Sequence, residues 1–323
     1  MRSSHPSADP AIRLRYGRSV GAVVASLGLA VLALGPASAQ SPSAVSAEPI
    51  DIVVTTTILG AVVQDLVGER ADVQILMDGG VDPHDWSPSA RDIEAVYAAD
   101  LVVENGLGLE ESLHDALEEA QANGVLVFAA TDVIEPRAAG EEPSHAPDEE
   151  DHDHGAVDPH FWTDPVAMRT VVDRLAPVIG DLGLDVTDRQ ADLDMRLDAL
   201  DEEVRGIIAT IPEDRRKLVT GHESMGYFAD RYGLDLVGAI LPGLSSQGEV
   251  SARELATITQ LIRDEGVSVI FTEIGTPQSV ADAIASETGV RVVELPSHTL
   301  PTDGSYETFI REIATAIAGA LAS

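Results

Sequence analysis

Two segments, Val81-Asp82-Pro83-His84-Asp85-Trp86 and Val157-Asp158-Pro159-His160-Phe161-Trp162, repeat the pattern Val-Asp-Pro-His-x-Trp in one chain. In each, proline fixes φ just before an imidazole, and a tryptophan two residues on can wall off one side of the ring. That is a stiff mount for a histidine, with Asp82, Asp85 and Asp158 placed to orient the rings from behind. The chain has 2 Trp, and both sit two residues after a His. Running into the second copy is the stretch 141–155, rich in carboxylates and carrying His145, His152 and His154; its lack of large apolar side chains means it cannot form a core. Imidazole beside carboxylate is ligand chemistry for a divalent transition metal.

The chain has 9 His and 0 Cys, so any metal must be held by nitrogen and oxygen donors. His5 lies in the first segment of the chain, and His114 sits in a helical stretch with no partner signal, as a solvated or locally bonded side chain would. His84, His160, His222 and His298 each fall in a loop at or soon after a strand end, or just before a helix, two in each half of the chain. They are the expected metal ligands, with His145, His152 and His154 as an auxiliary weak metal loop. Glu223 and Glu273 are expected to compensate charge behind the imidazoles, and Glu273 is also the rival oxygen donor for the fourth place. A closed four-ligand sphere suits binding; a metalloenzyme keeps a position for water and a base beside it, and no HExxH motif occurs. A nitrogen-rich, thiol-free set favours Zn2+, with Mn2+ the runner-up because it stands lowest in the affinity order and prefers oxygen.

These loops need a scaffold. Strand-like runs at 52–56, 73–77, 101–103 and 125–128 alternate with helical spacing, and Thr163-Asp164-Pro165 reads as an N-cap with proline in the first turn. Between Thr187 and Ile211, Leu193, Leu197, Leu200, Val204 and Ile207 trace one apolar stripe, a helix expected to end at Pro212. Alternation resumes with strands at 217–220, 236–240, 267–272 and 290–295. The expectation is an α/β fold of two lobes, each a mostly parallel sheet covered by helices, joined by one long helix with the metal site in the cleft. The domains expected are a signal peptide at 1–39, a linker at 40–49, one lobe at 50–186, the connecting helix at 187–211 and a second lobe at 212–323.

Arg13, Arg15 and Arg18, the apolar run Val20 to Leu34 and Ala37-Ser38-Ala39 form a secretory signal, with cleavage expected near Ala39. Without Cys there is no lipid anchor to expect, and the protein is placed in the periplasm or outside the cell. Four Arg and one Asp leave with the signal, so the net charge of −35 becomes −38. Such acidity disfavours nucleic acid as a partner and can draw cations only over roughly 8–10 Å.

At these residues the sequence resembles the solute-binding proteins of ABC transporters for zinc and manganese, the cluster A-I type. The likeness spans nearly the whole chain after the signal. It is carried by Pro83-His84-Asp85-Trp86-Ser87-Pro88-Ser89, by Glu104-Asn105-Gly106-Leu107-Gly108-Leu109-Glu110, by Asp158 to Pro165, by His222 to Leu234, and by Phe271-Thr272-Glu273. The resemblance implies two lobes on a long rigid helix and one metal in the cleft. Its first three ligand motifs match His84, His160 and His222. At the fourth, where the family usually has Asp, this chain has His298-Thr299-Leu300. The family's acid- and His-rich loop matches the stretch before His160. The resemblance also implies delivery to a membrane permease with its cytoplasmic ATPase, by a monomer that is not an enzyme. The alternatives are a manganese-binding member and a metal-dependent adhesin.

Overall fold

Short runs of Val, Ile and Leu bounded by polar turns make the first sheet, and burial sorts them into centre and edge. In the computed structural model, which describes residues 49–138, 157–248 and 250–322, β1 (Ile50–Val54) and β3 (Leu101–Glu104) are central, and β2 (Ala71–Ile75) and β4 (Leu126–Ala129) are the edges of a parallel sheet ordered β2-β1-β3-β4. Val53, Val54, Leu101, Val102 and Val103 are buried, because helices cover both faces, whereas β2 is only partly covered. The covering helices are α1 (Thr57–Val67), α2 (Ala90–Ala98) and α3 (His114–Ala122). Ser89 caps α2 in a capping box with Asp92, which fixes where the loop carrying His84 must end. The expected signal 1–39, and the stretch 141–155 with His145, His152 and His154, lie outside the described residues.

Asp164 caps α4 (Pro165–Asp181) by accepting from Val166 N, with Pro165 at the first position, as the sequence predicts. The long helix α5 (Thr187–Ile208) buries Leu193, Leu197, Leu200, Val204 and Ile208. It stops three residues before the expected end. The residue preceding a proline avoids the helical region, and the last bonds, Thr210 N to Ile207 O and Ile211 N to Ile208 O, close as tight turns before Pro212. At about 1.5 Å per residue α5 still runs about 33 Å. It packs on α1 and α4 of the first lobe, and on α6 (Gly226–Tyr232) and α9 (Tyr306–Leu321) of the second.

The second lobe is built of parallel pairs. β5 (Lys217–Thr220) pairs with β6 (Asp235–Ala239), and β7 (Val269–Thr272) with β8 (Arg291–Glu294), while β5 and β7 lie against one another without a ladder. Helices α7 (Ala252–Asp264) and α8 (Gln278–Thr288) cover the outer face, with Ile258, Ile262, Ala281 and Ile284 in its core. The largest hydrophobic cluster is not confined to either lobe: it runs from Ile52 and Leu101 through the α5 stripe to Phe271, Phe309 and Leu321. A continuous apolar core of this kind makes the two lobes stiff with respect to each other.

At the end of β3, Glu104 is half-buried, and burial, then Glu110 and Asp132, push its carboxyl up from 4.5 to about 7. The raised value means the folded chain favours the protonated form, so the cost of ionising Glu104 develops as pH rises from 4.5 through about 7. Glu104→Gln is expected to add about 1 kcal/mol of stability at pH 8, a gain limited by solvent screening, and to change little at pH 4. Urea unfolding at the two pH values checks it; equal effects at both would refute the burial argument.

Candidate metal centre

Parallel strands deliver their following loops to one end of a sheet, and four such loops meet here. His84 lies between β2 and α2. His160 precedes the short turn Phe161–Thr163 that leads into α4. His222 follows β5, and His298 follows β8. Gly221 has to be glycine for close approach, because a Cβ there would stand 2.1 Å from Thr276 Oγ1. Asn105 Nδ2, at the end of β3, donates to Pro159 O at 3.0 Å and ties the second mount to the first sheet.

One ligand atom from each of His84, His160, His222 and His298 lies within 4.8 Å of the others, and among the described residues this is the group of His, Asp or Glu side chains able to hold a metal ion. His160 Nε2 is 3.2 Å from His84 Nε2 and 3.2 Å from His222 Nε2. Zinc–imidazole bonds of about 2.0–2.1 Å in a tetrahedron require nitrogens about 3.3–3.4 Å apart. The measured spacing is thus close to that of a tetrahedral edge.

The atoms behind the rings assign the tautomers. Asp158 Oδ1 accepts from His160 Nδ1 at 2.8 Å and from His160 N at 2.9 Å, leaving the Nε2 lone pair aimed at the other rings. Ser297 Oγ donates to Glu273 Oε2 at 2.5 Å and so accepts from His298 Nδ1 at 2.9 Å. His298 Nε2, buried and without a hydrogen-bond partner, is free for an ion. Glu273 takes no place among the converging atoms. Its carboxylate accepts from Ser224 Oγ, Ser297 Oγ and Gly221 N, and lies 3.7 Å from both His222 Nδ1 and His298 Nδ1. It supplies negative charge between two imidazoles without displacing either.

Burial pushes the His160 and His298 imidazoles well below 6.5 and His84 to about 4, with His222 adding to the effect on each. Neutral rings at neutral pH are what metal ligation requires. Asp158, buried with Arg137 as its counter-charge at 3.3 Å, is lifted to about 6 by desolvation, against which the bonds from His160 N and Arg137 work.

The structure treats the two mounts unequally. Trp162 stands 5.1 Å from the His160 ring and 5.5 Å from His298, and its Nε1 donates to Ser297 O at 2.9 Å. Trp86 does not wall His84; it packs into the cluster of Val53, Val96 and Leu113. Asp158 orients its imidazole as the spacing predicts, but Asp82 caps the backbone N of His84 at 3.0 Å, and Asp85 is exposed. Glu223 donates its N–H to Gly243 O and is not in the converging group. His114 is exposed and 3.4 Å from Glu118. Sequence reasoning missed Arg137, Ser224 and Ser297, and Ser297 directly before His298 was the one local signal available.

Comparison with known proteins places this geometry. The family described as zinc-uptake complex component A, periplasmic, matches residues 52–320. The high-affinity zinc uptake system protein ZnuA of Bacillus subtilis is 30% identical over 274 residues, 83% of this chain and 85% of that one. The manganese-binding lipoprotein MntA of Halalkalibacterium halodurans is 27% identical over 291 residues, 87% of this chain and 91% of that one. Among solved structures, the periplasmic zinc-binding protein TroA from Treponema pallidum superposes with a TM-score of 0.72 at 26% identity, over 86% of this chain and 100% of that one.

Proposed function

The chain belongs to the periplasmic zinc-uptake complex component A family, and from that premise we propose that it captures zinc outside the cytoplasm and hands the ion to an ABC importer, a permease with its ATPase. The observation that carries this reading is the convergence of four imidazoles within 4.8 Å, with buried Asp158 and Glu273 behind them. Glu273, behind two of the rings, offsets part of the +2 charge of the ion, so the chain can bury the metal without a carboxylate ligand. Four nitrogen donors also leave no coordination position for a hydrolytic water.

No helix among the described residues is long and apolar enough to cross a membrane. The proposal takes the segment 1–39 as a cleaved signal because Arg13, Arg15 and Arg18 precede the apolar run Val20 to Leu34 and the small residues Ala37-Ser38-Ala39. The stretch 141–155 would hold further zinc weakly and raise its local concentration beside the site.

Manganese is the second reading, kept by the likeness to MntA. Its preference for oxygen donors opposes an all-nitrogen set. Competitive titration of the purified protein, with elemental analysis, decides between them. Zinc is expected to displace manganese completely at equal concentration; manganese holding its own would overturn the zinc assignment. Rescue of zinc-limited growth in a strain lacking the gene tests delivery, and no loss of uptake in that strain would contradict it.

A further inference from the structure

Of the four imidazoles, three belong to residues no more than 5% exposed, whereas His84 is only partly buried. His84 is thus the ring at the mouth of the site, and whatever holds its loop governs how readily the site opens. That loop, between Ile75 and Ala90, contains no helix or strand of its own. It is held from the second lobe. Ser246 Oγ donates to Asp82 Oδ2 at 2.5 Å, and the other oxygen of the same carboxylate accepts His84 N at 3.0 Å. Gln247 Nε2 donates to the carbonyl of His84 itself. Gly275, with φ +84°, lets the loop after β7 close on the same spot, since a Cβ there would stand 2.4 Å from Asp82 Oδ2 and 2.7 Å from Ser246 Cβ. Ser246 is 8% exposed although it lies in an irregular loop.

We propose that Ser246 and Gln247 are positioning residues for metal capture: they clasp the His84 loop from the opposite lobe and set the rate at which the metal leaves, without touching it. The inference rests on the zinc-binding reading above. Both bonds end on the segment that carries the outermost ligand, one through the Asp82 carboxylate and one on the His84 backbone. When they break, His84 can swing out while His160, His222 and His298 stay in place, so the ion departs through a three-ligand state. Rings fixed from behind by Asp158 and Ser297 have no comparable route.

The test is release of zinc from the loaded protein into excess chelator, followed by stopped flow, for wild type, Ser246→Ala, Ser246→Thr, Gln247→Ala and the double alanine variant. Loss of a hydrogen bond to a carboxylate is expected to speed release about tenfold in Ser246→Ala. Ser246→Thr, which keeps the hydroxyl, restores slow release, and the double variant is faster still. The zinc load stays as in wild type, and the metal-free Ser246→Thr variant keeps the wild-type melting temperature. Release as slow in the double variant as in wild type overturns the clasp, and so does a faster release that Thr does not rescue and that follows a lowered melting temperature. Wild-type protein that takes up no zinc overturns the proposed function, and the clasp with it; a zinc-binding wild type separates the two failures.

Discussion

Replacing His298 by alanine is expected to weaken zinc binding by roughly a hundredfold to a thousandfold, because about 10–16 kcal/mol of binding shared among four ligands leaves about 2.5–4 kcal/mol for each. Glu273→Gln should cost less, on the order of tenfold to a hundredfold, as groups behind metal ligands do. The ranking follows from position. His298 presents a buried Nε2 with no other partner, while Glu273 acts through Ser297, Ser224 and the backbone of Gly221. The glutamine variant keeps one acceptor oxygen of the two and loses the charge that offsets the ion. Competition with a chelator of known zinc affinity reads both, and His114→Ala, far from the convergence and exposed, serves as the unchanged control. If Glu273→Gln is the more damaging, the carboxylate is a ligand and the four-imidazole site is wrong.

Asp158→Asn should act on the site rather than on the fold. Asp158 is fully buried, holds His160 Nδ1 at 2.8 Å, and is bonded by Arg137, whose Nε also reaches Asp230 at 2.7 Å on α6. The neutral amide loses the charge that selects the His160 tautomer, which is expected to lower zinc affinity by about tenfold to a hundredfold. Asp230 remains as a counter-charge for Arg137 and burial already disfavours the ionised Asp158, so the stability of the metal-free protein in urea unfolding is expected to change little. Gly226 shows how closely this pair is packed: a Cβ at that position would stand 2.3 Å from Arg137 Nη1 and 2.6 Å from Asp158 Oδ2. An unchanged affinity in the asparagine variant would mean that the Asp158 charge does not set the His160 tautomer.

The parts of this site that could be read in the sequence are those whose signal is local. The Pro-His pairs marked His84 and His160, the strand-then-loop positions marked His222 and His298, and the helix starts at Ser89 and Asp164 are set by residues within three or four positions of one another. Strand and helix periodicity sufficed for the two-lobed α/β architecture, because buried parallel strands are continuous apolar runs. The α5 end was misplaced since apolar spacing continues to Ile211 after the backbone has already turned. Arg137 and Ser246 were illegible for a different reason: their partners lie 21 and 164 residues away, and no local pattern encodes such pairs. The unequal roles of Trp86 and Trp162 were hidden in the same way. Tyr306 OH on Trp162 O, at 2.9 Å, and Ser297 O on its indole come from the other lobe.

The most direct test of the account is the X-ray absorption spectrum of the zinc-loaded protein. Four imidazole nitrogens at about 2.0–2.1 Å, with the multiple-scattering pattern of histidine rings and no oxygen in the shell, are the predicted result. Three imidazoles with one carboxylate oxygen at about 2.0–2.2 Å would contradict it and hand the fourth place to an acid such as Glu273.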